Sequence, residues 1–154
     1  VTIRTANPDD APHILALLHE LAAFEGGTVT AGAHDLRAAL ESRRMEALLA
    51  EQAGESVGLL TVLPSYSSWR GQAGAIIHDL YVRPAARGLG LGRKLVHTLL
   101  ALAPERGWGR VDVNVLDWNQ TAQQFYAQLG LVPATGWQIW RIEGEALEKP
   151  YEVQ

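Results

Sequence analysis

The sequence predicts an α/β (α+β) fold, a mixed sheet with helices on its faces. Three observations predict it. Segments with the period of a strand and segments with the period of a helix interleave, in the order β-α-α-β-β-β-α-β-α-β. The 154 residues are 47% hydrophobic, which suits one compact domain spanning residues 1–154. A strand running into a glycine-rich turn and then an amphipathic helix occupies residues 80–102.

Residues 2–5 (TIRT) form a short first strand. Asn7, Pro8, Asp9 and Asp10 then mark a helix start, with a capping side chain, an early proline and acids in the first turn. Ile14, Leu17, Leu18, Leu21 and Ala22 recur at helical spacing until Gly26 and Gly27. A second helix is expected over 34–44. Strands at 47–51 and 56–63 flank a turn at Gly54, and 64–71 is expected to be a loop. Residues 75–82 form the central strand. Leu91, Leu95, Leu99 and Leu102 lie on one face of a helix ending near Gly107. A strand over 110–116, a helix over 119–129 and a last strand over 138–142 complete the order.

Charge and composition exclude several classes. The formal net charge is −4 with acids and bases interspersed, so the basic face of a nucleic-acid binder is missing. There is no cysteine, hence no disulfide and no thiolate metal site. No paired His, Asp or Glu spacing marks a metal centre. No basic-then-apolar leader stands at Val1, and no apolar run approaches the roughly 18 residues of a membrane span. A soluble cytoplasmic protein without membrane contact is expected.

The most informative stretch is 80–94 (LYVRPAARGLGLGRK). Alternating Gly88, Gly90 and Gly92 let backbone N–H groups approach an anion closely. The first N–H groups of the following helix have no internal partner, and the helix dipole adds positive charge, so the turn suits a pyrophosphate. Arg87 and Arg93 add charge-assisted contacts. A dinucleotide fingerprint would need G-x-G-x-x-G, and a nucleoside-triphosphate loop Gly-Lys-Ser/Thr; neither pattern is present. A plain flexible turn before a helix is the alternative.

With Arg87, Gly90 and Gly92 in place, the chain resembles the GNAT acetyltransferases, whose core signature is Arg/Gln-x-x-Gly-x-Gly/Ala. Within them it is most similar to the spermidine/spermine and diamine (thialysine-like) N-acetyltransferase branch. The similarity runs in order through 20–25 (ELAAFE), 66–71 (YSSWRG), 79–82 (DLYV), 87–92 (RGLGLG), 115–119 (VLDWN), 125–126 (FY), 129–130 (LG), 136–137 (GW) and 144–146 (GEA). The resemblance implies a mainly antiparallel central sheet, acetyl-CoA as co-substrate, no metal, a small-molecule amine as acceptor and a homodimer. It implies that Leu80, Tyr81 and Val82 hold the pantetheine arm. The turn Gly88, Leu89, Gly90, Leu91, Gly92, Arg93, with Arg87, wraps the pyrophosphate. Asn119 and Ala122, at the start of a helix, touch the cofactor, and Tyr126 lies beside the thioester sulfur. Glu25, Trp69, His78, Asp79 and Trp137 fall on the acceptor side.

Amine acetylation needs a neutral nucleophile, a polarised thioester and a protonated leaving thiolate. Asp79 is a candidate to take the amine's proton, or to anchor an ammonium. Tyr126 is a candidate general acid, although its place on an apolar helix face also suits a core aromatic. Asn119 also suits a helix cap, and the tryptophans also suit packing. The polyamine branch has Glu-Asp where this chain has His78 and Asp79, and an acid where it has Thr135. Less fixed negative charge points away from spermine and spermidine and toward a smaller amine, an amino acid or a thialysine-like side chain. A protein or peptide N-acetyltransferase and a non-catalytic acyl-CoA sensor are the other readings.

Overall fold

A computed structural model describes residues 1–153. The chain forms two compact units, the first Val1–Leu116 and the second from Asp117 onward. The first holds a five-stranded sheet of β1 (Thr2–Thr5), β2 (Glu46–Gln52), β3 (Glu55–Ser67), β4 (Gln72–Val82) and β5 (Trp108–Val113), side by side in chain order. The first three pairings are antiparallel and β4 with β5 is parallel. A parallel pair cannot be joined by a hairpin. The crossover here is made by α3 (Leu91–Leu100) and the short α4 (Ala103–Arg106). Before β2 come α1 (Ala11–Glu25) and α2 (Ala33–Glu41).

A short 3-10 turn, Pro8–Asp10, leads into α1 and is fixed by local chemistry. The Asn7 side chain accepts the Asp9 N–H at 2.9 Å, and the Asn7 N–H donates to Asp10 Oδ2 at 2.8 Å. Such caps are worth about 1 kcal/mol. Asp10 is buried and meets Arg4 of β1 at 2.7 Å, and Arg4 also bonds Glu51 of β2. These partners hold the Asp10 carboxyl below its usual range and the Arg4 guanidinium well above its own.

Sequence periodicity decides which helix covers which face. Ile14, Leu17 and Leu21 of α1, with Leu36 and Leu40 of α2, pack on Ala47, Leu49, Leu59 and Tyr81. On the opposite face lies α3, whose Leu91, Leu95, Val96 and Leu99 are buried. Each such side chain removed from water stabilises the fold by about 1.5–3 kcal/mol. Close approach of α3 depends on Gly58, where a Cβ would lie 3.0 Å from Ala50 Cβ and 3.4 Å from Leu95 Cδ1.

Four expectations are corrected. Residues 64–67 are strand, not loop, because β3 continues opposite β4 to the Ser67↔Gln72 pair. Pairing of β3 with β2 ends at Val62↔Glu46, so Pro64 sits on an edge segment, where a missing donor is tolerated. The helix expected to run toward Gly107 breaks into α3 and α4, since Pro104 has no N–H to continue the ladder. The strand expected over 110–116 is Trp108–Val113, starting directly after the left-handed Gly107 (φ +68°). No strand forms at 138–142; Ile139, Trp140 and Ile142 are exposed and have no ladder partner among the described residues. An isolated strand has no stability of its own. The second unit contains α5 (Gln120–Gln128) and the short α6 (Glu145–Glu148). No helix among the described residues is long and apolar enough to cross a membrane.

At Gly74, β4 is closely packed against both β3 and β5. A Cβ there would meet the Arg110 carbonyl oxygen at 2.7 Å and Ser65 Oγ at 2.8 Å. Gly74→Ala is expected to destabilise the protein by about 1–3 kcal/mol through this overpacking, read from the urea midpoint at unchanged slope.

Candidate functional site

A one-residue slip in β4 creates the site. Consecutive β3 residues Thr61 and Val62 pair with Asp79 and Ile77, so His78 is extra. Such a bulge bends its strand and re-aims its side chains. Pairing of β4 with β5 ends at Ile77↔Val113. From His78 to Val82, β4 has β3 on one side and no ladder partner on the other among the described residues. Alternation then puts Asp79 and Tyr81 on the α1 face, with their pair partners Thr61 and Leu59.

Three predicted acceptor residues are brought together there. Asp79 Oδ2 accepts from Thr61 Oγ1 at 2.5 Å and lies 3.1 Å from His78 Nδ1. The hydrogen bond to Asp79, and the fields of Asp79 and Glu25, push the His78 imidazole above its ordinary 6.5 against the opposing effect of burial. Glu25, at the end of α1, is pushed up by desolvation and then by the charge of Asp79, while His78 acts the other way. Two carboxylates and an imidazole therefore share one electrostatic environment. They do not converge as a chelate: among the described residues no group of three or more His, Cys, Asp or Glu is placed to hold a metal ion.

The phosphate-suited turn follows β4 directly. Tyr81 is anchored by its hydroxyl to Glu20 Oε1 at 3.2 Å, and Arg83 meets Glu20 at 3.0 Å. Burial and the Glu20 charge push the Tyr81 phenol up. Arg87 Nε donates to the Val82 carbonyl at 2.8 Å, and its guanidinium lies 5.7 Å from the Tyr81 ring centre. Arg87 thus closes the strand-to-turn junction with one nitrogen and leaves its terminal nitrogens for another partner. Gly88 and Gly90 have φ of +87° and +72°, a conformation that favours glycine. The first turn of α3 carries no acid, and Arg93 and Lys94 are exposed without a carboxylate partner among the described residues. Leu91 is buried in the core, whereas Leu89 is half exposed. This chemistry fits a pyrophosphate.

The second unit presents Asn119, Ala122 and Tyr126 on one helix. Asn119 caps α5, accepting the Ala122 N–H at 3.1 Å. Tyr126 is buried, with its ring edge-on to Phe125 at 5.1 Å. Trp137 is largely exposed. One predicted residue is not brought to Asp79: Trp69, 97% exposed, sits in the turn joining β3 to β4. At about 3.3 Å per residue, the length of β4 puts that turn roughly 20 Å from Asp79. Two residues went unread in the sequence, Thr61 and Glu20. A lone hydroxyl inside the apolar run 57–63 (VGLLTVL) was the available signal for Thr61.

Comparison with known proteins gives one consistent result. The sequence pattern of the acetyltransferase (GNAT) family matches residues 14–131. The chain is 36% identical to a thialysine N-epsilon-acetyltransferase of Caenorhabditis elegans, over 96% of this chain and 94% of that one. It is 35% identical to the Bos taurus protein of the same name, over 97% and 96%. A solved structure described as a probable acetyltransferase superposes with a TM-score of 0.83 at 20% identity, covering 93% of this chain and 97% of that one.

The His78 shift carries a sign. A histidine raised on folding contributes stability that is fully present below the unfolded value near 6.5 and is lost as pH rises through the folded value. An NMR titration of the imidazole is expected to give a midpoint above 6.5. Asp79→Asn should lower it, and an unchanged midpoint would separate the two groups.

Proposed function

The chain belongs to the acetyltransferase (GNAT) family, and from that membership we propose that it moves the acetyl group of acetyl-CoA to the primary amine of a small molecule by direct attack in a ternary complex. The favoured acceptor is a lysine- or thialysine-like side-chain amine or a diamine, ahead of spermidine and spermine. One observation carries this choice: Glu25 and Asp79 lie in each other's field beside the unpaired edge of β4. A cationic amine relieves that repulsion. His78 in place of an acid leaves less fixed negative charge than a polycation calls for. The relatives named for thialysine support the same acceptor class.

In this reading the β4 backbone at Leu80, Tyr81 and Val82 holds the pantetheine arm, and the turn from Gly88 to Arg93, with Arg87, wraps the pyrophosphate. Asn119 and Ala122 touch the cofactor from α5. The positive φ of Gly88 and Gly90 supports the phosphate assignment, as do Arg93 and Lys94, which have no carboxylate partner among the described residues. Asp79 takes one proton from the acceptor ammonium. The freed nitrogen pair attacks the thioester carbon, so that a C–N bond forms as the C–S bond breaks. Tyr126 donates its hydroxyl proton to the leaving sulfur, and the second proton lost by nitrogen replaces it. Glu25, His78 and Trp137 serve the acceptor; Trp69 is left out of this chain's own acceptor site.

The family pattern covers residues 14–131, most of the first unit and the start of the second, which supports reading them as one acetyltransferase domain. The absence of cysteine suits a reducing cytoplasm. We also propose a homodimer, since Val132 (83%), Ile139 (71%) and Trp140 (88%) are exposed on one stretch that a second copy would cover. Light scattering should give twice the chain mass, and Trp140→Glu should give the single mass.

The decisive assay measures thiol release from acetyl-CoA with lysine analogues, diamines, polyamines and a peptide. Release driven by a lysine-like amine or a diamine is expected, with Tyr126→Phe slower by about 10²- to 10⁴-fold. Strong preference for spermine would overturn the specificity. Release only with the peptide, or acetyl-CoA binding without turnover, would overturn the small-amine reading.

A further inference from the structure

Thr61 is fully buried in the middle of β3, within an apolar run. Valine has nearly the same shape and carries no polar atom, so packing alone disfavours a hydroxyl here. Asp10, another buried polar side chain, is neutralised by Arg4 and by the Asn7 backbone N–H. The Thr61 hydroxyl instead donates to Asp79 Oδ2 at 2.5 Å. His78 Nδ1 approaches the same oxygen at 3.1 Å. Both ties fall on Oδ2, and no hydrogen bond or ion pair among the described residues falls on Oδ1.

We propose that Thr61 is a positioning residue for acetyl transfer, its hydroxyl turning the Asp79 carboxylate so that Oδ1 is presented to the acceptor amine. This assignment rests on the acetyl-transfer reading above. An aspartate has two torsions to fix. A donor rising from the neighbouring strand holds one carboxylate oxygen against the sheet and, because the group is planar, sets the direction of the other. Oδ1 then takes the proton that the ammonium loses and passes it to solvent. The nitrogen pair forms the C–N bond, the C–S pair leaves with sulfur, and the second proton lost by nitrogen balances the one that converts the sulfur to the thiol. Pre-setting the acceptor oxygen removes a reorientation from the reacting complex.

The test uses Thr61→Val, Thr61→Ser, Asp79→Asn and the Thr61→Val/Asp79→Asn double variant. Measured are kcat and KM for the acceptor the wild type prefers, calorimetric affinity for acetyl-CoA, the urea midpoint and the His78 titration by NMR. Thr61→Val is expected to lower kcat about tenfold, the effect of losing one hydrogen bond to a charged group, with acetyl-CoA affinity held. Thr61→Ser should recover most of kcat. In the Asp79→Asn background, Thr61→Val should add less than about twofold, because the two act as one unit. The His78 midpoint should rise in Thr61→Val, as Oδ2 then serves the imidazolium alone. Wild-type kcat in Thr61→Val, no recovery with serine, or an equal loss in the Asp79→Asn background would overturn the assignment. If the wild type turns over no amine, the acetyl-transfer reading falls. The Thr61–Asp79 coupling is still decided by the His78 midpoint, and no movement there overturns it.

Discussion

The first unit is organised around a register slip in β4. With one extra residue at His78, this strand keeps β5 as a neighbour through Ile77 and keeps β3 as a neighbour to its end. A straight β4 would give no reason for the two parallel strands to part at that point. Where they part, an edge of backbone opens beside the face that carries Asp79, and the strand leads into the glycine turn at Gly88 and Gly90. Backbone edge, carboxylate and anion-suited turn thus follow one another on a single stretch of chain. A change that straightened β4 would disturb all three together.

The helices hold that stretch by polar ties as well as by packing. Glu20 of α1 receives both Tyr81 and Arg83, fixing the end of β4 from the helix side. At the other end of α1, the capped turn Pro8–Asp10 and the Arg4–Asp10 pair lead into the helix. Glu25 ends α1 before Gly26 turns the chain away at φ +75°. Its position near Asp79 is therefore set by helix length and start, and no hydrogen bond or ion pair holds it among the described residues. The site charge is built by rigid placement of groups that would repel if free.

Legibility in the sequence followed how local each feature is. The glycine turn could be read because conformation, helix start and basic neighbours lie within a few residues. The α5 cap at Asn119 and the leucine face of α3 could be read for the same reason. The slip at His78 left no mark, because register belongs to two strands at once. That hid the Asp79 bond to Thr61. Pairing also decided two errors: β3 extended past Pro64 because β4 was there to receive it, carrying Trp69 to the hairpin tip, whereas 138–142 finds no strand to join among the described residues. Glu20 takes its role only from the end of β4, which the helix sequence does not show.

The bulge has an effect that can be put in terms of phase. Along β4, Ile77 lies on the α3 side with Val62, yet Asp79, two positions on, lies on the opposite side with Thr61. In an unbroken strand, residues two apart share a face. His78 is a half-period shift between two wave trains on one strand. The portion before it keeps its alternation for packing against β5 and the crossover helix, and the portion after it starts afresh, with its own inside and outside. Substitution at His78 and Asp79 is thereby released from the hydrophobic beat of the first portion, while the sheet that carries them stays in step.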